Sequence, residues 1–137
     1  MTPALACRIN EWQSQWVYKD GARGPVEIDC WGLVLEVSQW LGTAKPFDSL
    51  EIIEASKSAD YSAVKAVFAD HVKAGEWQTC DPETGAVAFF GEMKDAIHAG
   101  ICIGGGVLDI SAQDGVRFRR IGGHDLPKRM EYARWVG

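Results

Sequence analysis

The four cysteines, Cys7, Cys30, Cys80 and Cys102, form no CxxC pair. At this length their wide spacing argues against both a disulfide scaffold and a zinc site, so neither a metal nor another cofactor is expected. No run approaches the roughly 18 uninterrupted apolar residues of a membrane span. The opening Met1-Thr2-Pro3-Ala4-Leu5-Ala6-Cys7-Arg8 has no basic leader ahead of an apolar stretch, so cytoplasmic synthesis without a signal peptide and no membrane partner are expected. Cations are also scarce. The 14 Lys and Arg face 19 Asp and Glu, a net charge of −5, which argues against nucleic acid as a partner. Five of the cations fall late, Arg117, Arg119, Arg120, Lys128 and Arg129, and read as a solvated basic face. Internal repeats and low-complexity segments are missing. What remains is 137 residues, 47% apolar and 24% charged, enough for a single domain over residues 1–137 with a sizeable core.

Helices are expected first and strands after. Ile9, Trp12 and Trp16 share a stripe within a helix over 4–17. A turn-rich loop, Lys19 to Pro25, leads to a second helix at about 30–41, with Asp29 as its N-cap and Gly42 as its stop. Leu33, Val34, Val37 and Leu41 give that helix a buried face. A third helix is predicted over 60–74. Beyond Gly85 the pattern changes to short apolar runs: 86–90, 98–103, 107–111 and 115–121, with 132–136 as a closing edge strand. The order predicts an α+β fold with an antiparallel sheet.

The chemistry-bearing pattern is Cys30 at a helix start and a distant His98 on a strand. A thiol is a weak nucleophile until it is deprotonated, and a helix N-terminus together with an imidazolium favours the thiolate. If Gly104-Gly105 forms a two-residue turn, Ile103 pairs with Gly106 and Asp109 shares a face with His98 as a diagonal neighbour, roughly 7–8 Å away at the backbone. A three-residue turn sends Asp109 to the other face. His71 and His124 read as structural or solvent-exposed, and Cys7, Cys80 and Cys102 as small core residues. Of the six tryptophans, Trp31 is the candidate for substrate contact.

These segments resemble the NlpC-type cell-wall cysteine peptidases, a papain-like family, and within it the phage tail-associated branch. Asp29-Cys30-Trp31-Gly32-Leu33-Val34 is similar to the nucleophile motif, and Gly85 to Phe90 to the strand ahead of the histidine. His98-Ala99-Gly100-Ile101-Cys102-Ile103-Gly104 is similar to the histidine strand, and Val107-Leu108-Asp109-Ile110-Ser111 to the strand of the third residue. Tyr18 falls where the family often has a tyrosine beside the thiol. Departures are Ala86 in place of an acidic residue, Asp109 where histidine is most frequent, and a hairpin one residue shorter. Residues 42–80 match no part of the pattern.

The resemblance implies a papain-like core, with the nucleophile helix packed on the sheet, and a cysteine endopeptidase that hydrolyses peptidoglycan stem peptides. Cys30 would attack, His98 would hold the thiolate and protonate the leaving amine, and Asp109 would fix the ring. Tyr18 and the Cys30 backbone N–H would serve the oxyanion. Phage or prophage tail proteins are the implied partners and the virion the implied destination. Two other readings stand beside it: a tail-tip assembly module of the same fold with little activity, and an acyltransferase or amidase.

Overall fold

In the computed structural model, which describes residues 1–137, helix α1 (Pro3–Gln15) begins on a good cap. The Leu5 N–H donates to Thr2 Oγ1, and Pro3 sits in the first turn, where a missing N–H costs nothing. Its buried face is Ile9 and Trp12; Trp16 follows the helix and stacks on Trp12 at 5.4 Å between ring centroids. Two short strands, β1 (Val17–Tyr18) and β2 (Glu27–Ile28), pair in parallel and frame the turn-rich loop.

Helix α2 (Cys30–Leu41) starts at the expected Asp29 and ends at Gly42, whose φ of 73° is the left-handed conformation glycine adopts cheaply. Leu33, Val34 and Val37 are fully buried, while Leu41 is only partly so. Helix α4 (Tyr61–Lys73) matches the predicted third helix and buries Val64, Val67 and Phe68. Helix α3 (Leu50–Lys57) was not expected. It is eight residues long with only Ile52 and Ala55 buried, too brief for a periodic signal. No helix is long and apolar enough to cross a membrane.

The strands are β3 (Trp77–Thr79), β4 (Val87–Phe90), β5 (Ala99–Ile103), β6 (Gly106–Ser111), β7 (Gly115–Arg120) and β8 (Met130–Trp135). They form one antiparallel sheet in the order β3-β8-β4-β5-β6-β7. The chain is therefore a mixed α+β structure of four helices and an antiparallel sheet, as its element order predicts. One strand differs from expectation: β8 is interior, because β3, which carries only three residues and was not anticipated, covers its outer side.

Alternation gives the sheet two faces. One turns Val87, Phe89, Ile101, Ile103, Leu108, Ile110 and Val116 into the main core beneath the helices, where α2 packs on β5 and β6. The other carries the small residues Ala86, Ala88 and Cys102, together with Val107. Ile103 pairs with Gly106, so the hairpin turn is the two-residue Gly104-Gly105, with φ of 57° and 82°. That register sets Val107 and Asp109 on the second face, toward which the parity of β5 also directs His98.

Candidate active site

Asp29, the start of α2, is a cap and an ion pair at once. Its Oδ1 accepts from the Gly32 N–H at 2.8 Å and from Arg23 Nη1 at 2.7 Å, and its Oδ2 accepts from the Gly21 N–H at 3.0 Å. A bare carboxylate beside Cys30 would oppose a thiolate. Arg23 removes that objection by sitting against the charge, and it continues to Asp48 on the far side of the loop at 3.1 Å. Gly32 lets the helix start press close: a Cβ there would lie 2.7 Å from Ile28 and 2.8 Å from the Ala22 carbonyl oxygen. Arg23 and Asp48 carry no motif, and only the fold brings them to Asp29.

His98 immediately precedes β5, and its side chain is 28% exposed. Its Nε2 lies 2.7 Å from Asp109 Oδ2. An ionised carboxylate only accepts, so Nε2 carries the proton and donates it, which leaves Nδ1 for another partner. Cys30, half-buried at the start of α2, lies near enough to the same ring to help raise its pKa. Phe90 rests beside the imidazole at 4.6 Å between centroids. His98 and Asp109 thus meet on the two-residue-turn alternative, with Cys30 nearby.

Burial alone would pull the His98 pKa down. Hydrogen bonds to Asp109 and Cys30, with their charges, more than offset it and raise it from 6.5 to about 9. A histidine that binds its proton more tightly when folded stabilises the protein fully below its unfolded pKa, and that contribution disappears as pH rises through the folded value. Denaturant unfolding should therefore show stability falling between about pH 6.5 and pH 9, by on the order of 3 kcal/mol. His98→Gln should flatten that part of the profile; an unchanged slope in the variant would assign the fall to other groups.

Asp109 is fully buried. Arg117 forks onto it from the neighbouring strand, with Nη2 at 2.6 Å from Oδ2 and Nε at 3.2 Å from Oδ1, and Arg119 Nη2 adds a bond to Oδ2 at 3.0 Å. Burial would raise this carboxyl, but the bonds from His98 and then Arg117 hold it below the usual carboxylate range. Gly100 makes room for it: a Cβ there would meet Asp109 Cβ at 3.0 Å and the Leu108 carbonyl oxygen at 2.6 Å. The five late cations do not form one solvated face. Arg120, Lys128 and Arg129 are exposed, but Arg117 and Arg119 turn inward to Asp109. The alternation in Val116-Arg117-Phe118-Arg119 already put both arginines on one face; reading their partner needed the β6–β7 register.

Two other site residues differ from expectation. Trp31 is 2% exposed, its Nε1 donates to the Phe47 carbonyl oxygen at 2.9 Å, and Phe68 packs on it edge-on at 4.9 Å. It is a core residue with no surface left for substrate. Tyr18 is near the thiol, but its hydroxyl donates to Asp20 Oδ1. Burial, then that bond and the charges of Asp20, Cys30 and Asp29, push the phenol up, so it remains protonated with its one donor already used.

Among the remaining cysteines, Cys7 is exposed and Cys80 half-buried, so neither is the core residue expected; Cys102 alone is buried. Burial, with a smaller effect of Cys80, pushes the Cys102 thiol up to about 12, which leaves it inert at neutral pH. His71 stacks on Phe47 at 3.7 Å and meets Glu76 at 3.2 Å, a structural role. The largest cleft, about 920 Å³, lies along Lys19 to Glu27, with Asp20 on its wall. Cys30, His98 and Asp109 are not among its lining residues.

The chain matches no known family model and no curated protein.

Proposed function

We propose that the chain is a cysteine endopeptidase with a papain-like core of the NlpC type, acting on peptidoglycan stem peptides, and that it serves a phage or prophage tail. The observation that carries this reading is one imidazole bonded to a buried, ionised carboxylate and near the thiol of a helix-start cysteine. The substrate class rests on the resemblance of the Cys30, His98 and Asp109 segments to that family.

In the proposed reaction the Cys30 thiolate adds to a peptide carbonyl carbon. The developing oxyanion meets the Cys30 backbone N–H at the start of α2, where the first N–H groups of a helix have no intrahelical acceptor. His98, protonated, gives its proton to the leaving amine as the C–N bond breaks and a thioester forms. Water then attacks the thioester, losing its proton to His98, and the acid product departs as the thiol is restored. Asp109 accepts from Nε2 and so leaves Nδ1 to exchange the proton. Tyr18, bonded to Asp20, supports the thiol's surroundings; it is not the free oxyanion donor of the expectation.

The test is incubation of the purified protein and its Cys30→Ala variant with Gram-negative peptidoglycan, followed by mass spectrometry of released fragments. Stem-peptide fragments from the wild type alone are the expected result and identify the bond. No fragments from the folded, reduced wild type would overturn the peptidase reading in favour of a tail-assembly module.

A further inference from the structure

We propose that Arg117 and Arg119 are positioning residues of the reaction: by sharing the Asp109 carboxylate with His98 they hold it in place and limit how tightly it retains the histidine's proton. This inference rests on the peptidase reading for its kinetic consequence, but its electrostatic part does not. The crowding is specific. Asp109 Oδ2 takes three donors, from His98 at 2.7 Å, Arg117 at 2.6 Å and Arg119 at 3.0 Å. Asp109 and Arg117 stand directly opposite in the β6–β7 ladder, and Val107 and Arg119 do likewise, so both guanidinium groups approach from the same face. Arg119 is itself fixed, donating to the Asp125 carbonyl oxygen at 3.1 Å and lying over the Phe90 ring, which in turn supports His98.

A lone buried aspartate would bind an imidazolium so strongly that the ring would be a poor acid toward a leaving amine. Two guanidinium groups on the same oxygen spread that negative charge and repel the imidazolium, so the ring keeps its orientation and can still release its proton. Around the ring the charged groups are Asp109 from β6, Arg117 and Arg119 from β7, and Cys30 from α2. Asp114 touches Arg117 from outside, Asp20 is held by Tyr18 and Asp29 by Arg23, and Lys94 and Asp95 of the preceding turn are exposed. With His98 protonated, three cations face the two carboxylates Asp109 and Asp114. A Cys30 thiolate supplies the negative charge that offsets this excess.

The experiment is an NMR titration of the His98 ring, in wild type and in a Cys30→Ala background that removes the thiol. Arg117→Gln and Arg119→Gln are each expected to raise the midpoint by about one pH unit, a tenfold tighter hold on the proton. Arg117→Lys keeps the charge and leaves the midpoint in place. In the enzyme with Cys30 present, kcat should fall about tenfold in the glutamine variants with KM unmoved, and the alkaline limb of the kcat profile should move up with the midpoint. A midpoint that stays or falls in both glutamine variants overturns the proposal. If those variants do not fold, the Asp109 carboxyl of His98→Gln decides by carbon NMR: titration still below the ordinary carboxylate range shows that the arginines hold the charge, and titration within it overturns the proposal. Because the titrations need no substrate, an inactive protein would count against the peptidase reading and leave this one standing or falling by itself.

Discussion

His98→Ala is expected to lower stem-peptide hydrolysis by about three orders of magnitude or more while leaving the protein folded. The size follows from two losses in one side chain. The thiol loses the partner that favours its ionised form, and the leaving amine loses its acid, each worth roughly 10²–10⁴-fold in enzymes that use such a pair. They are not additive, because one proton serves both steps. Folding should survive, since the side chain lies at the rim and is part exposed. Asp109 loses one of its three partners but keeps both arginines. The measurement is fragment release per minute from purified peptidoglycan, with circular dichroism as the folding control. A loss of less than tenfold would mean that His98 does not act on Cys30.

Asp109→Asn is expected to cost about 3–5 kcal/mol of stability, the range for removing one partner of a buried ion pair. The amide is the same shape, so the loss is of charge. Arg117 and Arg119 would then be left against a neutral group in a site where the original carboxylate has no exposure at all. Against a total stability of about 5–15 kcal/mol for a domain, the expected fall in melting temperature is roughly 10 °C or more. Asp114 supplies the control. It meets the same Arg117, at 3.1 Å, but is 56% exposed, and Asp114→Asn should change stability by less than about 1 kcal/mol. Equal effects of the two substitutions in thermal unfolding would show that the buried clamp contributes nothing special.

Much of this site was legible in the sequence because its signals are local. Asp29 before a Cys-Trp-Gly start, and Gly42 after the last apolar position, bound α2 by capping chemistry alone. The Gly-Gly-Gly run allowed a two-residue turn, and with it the placement of Asp109 beside His98 followed from strand alternation. What escaped notice depends on contacts distant in sequence. Arg23 reaches Asp29 and Asp48 across a loop with no periodicity, and Arg117 gains its meaning from a partner on the neighbouring strand. Trp31 was misplaced for a related reason. A tryptophan next to a nucleophile suggests substrate contact, but the helical turn points it inward, onto Phe47 and Phe68, from helices and loops the motif says nothing about. Strand β8 reads as an edge only while the three residues of β3 go unrecognised.

The central claim is that His98 activates Cys30, and the protein carries its own reference for it, since Cys7 is an exposed free thiol on the same chain. Brief alkylation with iodoacetamide at pH 6, read by peptide mass spectrometry, measures both thiols in one sample. Half-buried Cys30 is expected to react at least tenfold faster than Cys7, and His98→Ala to bring it down to the Cys7 rate or below. Cys30 reacting more slowly than Cys7 in the wild type, with no response to the loss of His98, would show that the histidine does not activate it.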